Sequence, residues 1–250
     1  MRKSLARIGA LTKRNLKEII RDPLSLVFTI ALPLVMEVLF YLIFHNMTAQ
    51  FEMKYLAPGI VVFSQSFITL FIGLLISMDR GSSFLTRLYV SEAKSHEFIF
   101  AYVFATLPII VLQTVLFFLV GGIIDSSIFG LGMLWCILLS IVSALFFISL
   151  GILIGSLCGE KSIGGVASIV IVCQSVLSGM WFPIDGLDGG MVTFMQCLPF
   201  KRATDLMQNA LNGIGDAFSD FWLPLIIVCA YAVVALVLAI LAFRSKMKAK

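Results

Sequence analysis

The residues of this sequence that could carry chemistry are few and scattered. Glu37, Gln65, Gln113 and Gln174 stand singly inside long apolar runs, and His45 and His96 fall in different inter-run segments. Cys136, Cys158, Cys173, Cys197 and Cys229 lack the paired spacing of a metal site, and four of them lie in or beside apolar runs, where a thiol behaves as a small hydrophobe. Only Cys197 is placed for surface chemistry. Residues 155–162, G-S-L-C-G-E-K-S, imitate a phosphate-binding loop, but three residues separate the glycines where that loop needs four, and Glu160 intervenes before Lys161. Neither a His-centred triad nor a His metal pair can be assembled. No catalytic residue and no metal site is expected, and the chain is not expected to be an enzyme.

The elements that must hold these residues follow from composition. A chain of 250 residues that is 60% hydrophobic, 13% charged and +1.05 in mean hydropathy has too much apolar surface for a water-soluble globule. Six runs, residues 24–44, 57–78, 98–124, 131–157, 163–181 and 221–243, are each long enough to cross the roughly 30 Å hydrocarbon layer as a helix. They show no period-two alternation, so an all-α membrane bundle of six transmembrane helices is predicted rather than a barrel. With the N terminus inside, fifteen of the eighteen Lys and Arg fall in inner segments, which predicts that both termini are cytoplasmic. No cleavable leader is visible, and the mature chain is expected to start at Met1.

Residues 1–23 place Leu5, Ile8, Leu11, Leu16, Ile19 and Ile20 at helical spacing, with Lys13, Arg14 and Lys17 between them. The pattern predicts an amphipathic helix lying on the inner membrane surface against lipid, ended by Asp22-Pro23. It serves either as a collar or as a lever. The tail, residues 244–250, reads as a basic anchor and is too small a patch for nucleic acid.

Glu37 admits two readings of equal weight: a carboxyl that is protonated or hydrogen-bonded between helices, or part of a substrate path shared with Gln65, Gln113 and Gln174. Gly151, Gly155 and Gly159 repeat at four-residue intervals and predict close helix packing, within one chain or between chains. Between the fifth and sixth runs, Trp181-Phe182-Pro183 leads into turns and then an apolar segment, residues 191–200, too short to span. A re-entrant half-helix followed by a second short helix is the natural assignment, with a cap packed on the bundle as the other.

In their order these features resemble the membrane subunit of an ABC exporter of the ABC-2 type. The resemblance rests on the basic helix ending in Arg21-Asp22-Pro23, Pro33 inside the first run, the acidic and glycine-bearing loop at Asp79 to Gly81, and W-F-P followed by Leu198-Pro199. The chain departs from the family in carrying Glu92 where proline is usual. The resemblance implies a homo- or heterodimer of six-helix permease subunits, with two ABC ATPase subunits that bind ATP and Mg, and a bacterial or archaeal plasma membrane. It implies a coupling helix over residues 81–90, with Phe84, Leu85 and Leu88 buried against the ATPase and Asp79, Arg80 and Arg87 in polar contact beside Gly81. It also implies an outer gate at Trp181, Phe182, Pro183, Leu198 and Pro199. The expected cargo is an amphipathic drug, lipid or small peptide moved outward, with a polysaccharide or lipid-linked glycan as the alternative. A stand-alone secondary transporter or channel would call for inverted repeats or several midplane charges, and none is evident.

Overall fold

The computed structural model describes residues 2–81, 95–182, 184–213, 218 and 220–248, and among the described residues every regular element is a helix. In chain order these are α1 (Arg2–Arg21), α2 (Pro23–Phe44), α3 (Met53–Gly81), α4 (Ser95–Ile124), α5 (Leu131–Leu157), α6 (Glu160–Leu177), α7 (Gly189–Cys197), α8 (Pro199–Asn212) and α9 (Trp222–Lys248). Six of them, α2 to α6 and α9, are long and apolar enough to cross a membrane. The fifth run is helical from Glu160 to Leu177 only, because Gly179 takes φ +69° and turns the chain out of the helix.

Local chemistry sets the break between α1 and α2. Asp22 caps α2 by accepting from the backbone N–H of Leu24 (3.1 Å) and Ser25 (3.3 Å), and Pro23 sits where a helix leaves its N–H unused. One turn later α2 widens into a π-turn over Val27–Ala31, where the Leu32 N–H bonds the Val27 carbonyl five residues back. Pro33 follows at once. It brings no N–H to the ladder and crowds the preceding turn, so the wider turn accommodates it.

At the centre of the bundle α3 and α5 lie against each other. Three glycines allow this. A Cβ on Gly151 would stand 2.9 Å from the Thr69 carbonyl oxygen, and one on Gly155 would stand 2.7 Å from that of Gly73. Lipid gives helices no hydrophobic reason to associate, so close backbone packing and interhelical hydrogen bonds must do it. Gln65 supplies two such bonds: its Nε2 donates to the Ser140 carbonyl (3.0 Å), and its Oε1 accepts from the Ser143 hydroxyl (2.7 Å). Thr69 adds a third to the Phe147 carbonyl (3.0 Å). The glycine repeat is thus settled at two positions as packing within one chain, while Gly159 has open space around it.

Around this pair α9 packs on α5, α6 on α3, and α4 on both. The core divides into two clusters. One, at the end of the bundle that holds α1, joins Ile72, Ile76, Phe98, Tyr102, Ile148 and Phe243, with Leu11 of α1 against it. The other gathers Met53, Phe63, Phe117, Phe147, Met207 and Ala210 around α8.

Candidate functional site

Residues 82–94 separate α3 from α4 in the chain, and a carboxylate flanks them on each side, at Asp79 and at Glu97. Both belong to the bundle's buried side: Asp79 on the last turn of α3 is 4% exposed and Glu97 on the first turn of α4 is 1% exposed. A buried carboxylate needs a partner. α1 supplies both.

Arg14 grips Asp79 with two nitrogens, Nη1 to Oδ2 at 2.8 Å and Nη2 to Oδ1 at 2.5 Å. The Tyr102 hydroxyl on α4 donates to the same carboxylate (2.6 Å), so three helices meet on one group. Two turns back along α1, Arg7 faces Glu97 (Nε to Oε2, 3.5 Å), and the Ser4 hydroxyl donates to it. Positions 4, 7, 11 and 14 form one stripe of a 3.6-residue helix, so one face of α1 serves both ends of the segment. Burial works against the Arg14 cation, but the hydrogen bonds and charge of Asp79, with Glu18 adding, hold its pKa above the ordinary guanidinium value. Glu18, 2.8 Å from Arg14, is pushed up by burial more than the arginine pulls it down.

Arg80 has a different task from its neighbour. Its Nη1 donates to the carbonyls of Gly155 (2.7 Å) and Cys158 (3.2 Å), so it caps the C-terminal end of α5, where a cation is favoured. Gly81 is exposed and has open space around it.

The sequence pattern that defines the ABC-2 type transporter matches residues 6–212, from α1 to the last turn of α8. The chain belongs to the ABC-2 type transporter family. It is also 23% identical, over 212 residues and 82% of its length, to ABC transporter G family member 20 of Dictyostelium discoideum. It spans 28% of the length of that relative. As an ABC-2 membrane domain it is a multi-pass membrane protein.

In this ABC-2 bundle the expected coupling residues separate into two groups. Phe84, Leu85, Arg87 and Leu88 lie outside the described residues. Asp79 and Arg80 are engaged inward, by α1 and by the end of α5, rather than standing free for a polar contact outside the bundle. The residues that sequence reasoning missed are Arg14 and Tyr102, which hold Asp79, and the second pair, Arg7 with Glu97. The signal was present, since two arginines two turns apart on α1 match two carboxylates flanking one polar segment.

The four intramembrane polar residues do not converge. Gln65 is consumed by the α3–α5 seam, as described above. Gln113 on α4 donates to Ser64 of α3 (3.0 Å) but leaves its Oε1 without a partner. Gln174 on α6 donates to Thr204 of α8 at 3.4 Å, and among the described residues its Oε1 is also without a partner. Glu37 on α2 is fully buried, and among the described residues neither carboxyl oxygen has a hydrogen-bond partner. Gly121 of α4 makes the room for it: a Cβ there would be 3.0 Å from Glu37 Oε1.

Of the expected outer-gate residues, Trp181 fastens the end of the fifth span to its neighbours. Its Nε1 donates to Ser175 (2.8 Å), and its ring meets Phe40 of α2 and Phe63 of α3 edge-on, at 4.6 and 5.7 Å. The Phe182 carbonyl accepts from Gln50 (2.6 Å). Pro183 lies outside the described residues. Leu198 caps α8 and Pro199 opens it, while Arg202 donates to the Gln196 carbonyl near the end of α7 (2.7 Å). α8 is held in the bundle by Leu206, Met207 and Ala210, and by Gln208 bonding the Tyr55 carbonyl of α3 (3.0 Å). On its first turns Lys201 pairs with Asp205, whose pKa burial raises against the pull of that lysine.

Proposed function

We propose that this chain is the permease of an ATP-driven exporter, taking an amphipathic drug, lipid or small peptide outward from the cytoplasm or inner leaflet. Two ABC ATPase subunits, carrying ATP and Mg, dock at the coupling helix expected over residues 81–90, and a second permease, identical or not, completes the complex. Both termini then face the cytoplasm of a bacterial or archaeal cell. The observation that carries this reading is the two-point attachment of α1 to Asp79 and Glu97. A segment pushed by a partner passes force on only if its ends are tied to something rigid, and here both ends are tied to one helix. ATPase closure would then bias the bundle between two arrangements. The neutral amides and hydroxyls between the spans suit an amphipathic cargo better than a small ion, and the orphaned Glu37 belongs to its path. The short helices α7 and α8, with Trp181 to Pro183, dip toward the outer leaflet and close the exit.

The test is to co-purify the chain with a candidate ATPase and compare ATP turnover and complex formation for the wild type, Arg87→Glu and Leu88→Asp. Loss of complex or of turnover in both variants is expected. Wild-type behaviour in both removes residues 81–90 as the docking point.

A further inference from the structure

We propose that the groove enclosed by α1, α2 and α4 is a binding site for an anionic phospholipid of the leaflet on which α1 lies, the acyl chain in the groove and the headgroup on Lys13 and Lys17.

The groove has a volume of about 540 Å³, within the ~300–1,000 Å³ range of ligand sites. Its walls are apolar: Leu16 and Ile20 of α1, Val27 and Ile30 of α2, Pro108 and Leu112 of α4. Val27 and Ile30 belong to the π-turn ahead of Pro33, and Pro108 stands within the opposing helix, which continues through it.

Charge selects the occupant. α1 sorts its cations by face: Arg7 and Arg14 turn to the bundle carboxylates, while Lys13 and Lys17 are exposed and, among the described residues, have no ion pair. Lys13, Leu16, Lys17 and Ile20 make a single stripe at i, i+3, i+4 and i+7. The two residues that line the groove and the two free cations therefore alternate along one edge of α1, which is the arrangement an acyl chain joined to a phosphate requires. A second groove, of about 530 Å³ on the other side of α2, has Asp22 among its lining residues and lacks this pairing.

The site stands apart from transport and is tested without ATP or any partner. The chain is placed in nanodiscs of phosphatidylcholine and phosphatidylglycerol in equal amounts, extracted in mild detergent, and its retained lipid identified by native mass spectrometry. The wild type should retain phosphatidylglycerol over phosphatidylcholine by about tenfold. Lys13→Gln with Lys17→Gln, both at exposed positions, should erase that preference. Ala31→Trp, or Leu112→Trp from the opposite wall, should fill the groove and lower retention of both lipids, with melting curves checking that each variant is folded. Equal retention of the two lipids by the wild type means annular lipid only and overturns the site. So does unchanged phosphatidylglycerol retention in the lysine variant or in both folded tryptophan variants.

Discussion

Arg14 is worth more to this protein than an ordinary surface arginine. It neutralises a carboxylate that α3 has carried into the bundle, and removing it takes away the two hydrogen bonds and the charge that it brings to the buried Asp79. Breaking such a pair from one side costs more than removing both partners. Arg14→Gln should lower stability by about 1–3 kcal/mol, whereas Arg14→Gln with Asp79→Asn should lose less than the sum of the two single changes. Thermal unfolding in detergent of the three variants measures this, and strict additivity would dismiss the clamp. Glu37 is the opposite case. Its oxygens are buried and, among the described residues, unpartnered, so Glu37→Leu should raise stability by about 1 kcal/mol or more, while lowering export if the residue belongs to the cargo's path. A variant that melts lower than the wild type would mean that the carboxyl has a partner after all.

At the scale of the helices, the α3–α5 seam sets how much substitution the bundle tolerates. Gly155→Ala drives a methyl into the Gly73 backbone, which cannot swing aside as a side chain would, and should cost about 1–3 kcal/mol. Gly159→Ala, four residues on with open space around it, should cost nothing measurable. Melting temperatures of the two variants separate these outcomes. The same contrast shows what was legible in the sequence. Six apolar runs and a basic amphipathic start gave the spans and α1, because length and hydropathy are local properties. The spacing of Gly151, Gly155 and Gly159 promised close packing, yet nothing in it could say that the third glycine falls beyond the contact. Gln65 looked like Gln113 and Gln174 in sequence, and only the register of α3 against α5 gives both its amide nitrogen and its amide oxygen a partner. Arg80 and Asp79 are adjacent in the chain but turn to different helices, a consequence of the 100° step between helical neighbours.

For the whole molecule, the family match and the fold together describe a multi-pass membrane domain of the ABC-2 type. Severing either α1 attachment should uncouple it. In the complex with its ATPase, Glu97→Gln or Asp79→Asn should leave binding of the ATPase intact while reducing substrate-stimulated ATP turnover several-fold. Full stimulation in both variants would show that α1 carries no force. The spacing of the two attachments adds a further consequence. Arg7 and Arg14 are seven residues apart, so they share a face only because seven residues come close to two full turns. The helix between them works as a phase gauge. One alanine inserted after Ala10 would rotate one arginine about 100° away from its carboxylate while leaving the net charge unchanged. A deletion or insertion that nearly restores whole turns would keep the faces aligned but change the separation. Helix α1 therefore encodes an angle as well as a distance, and insertion mutants of graded length would report the two separately.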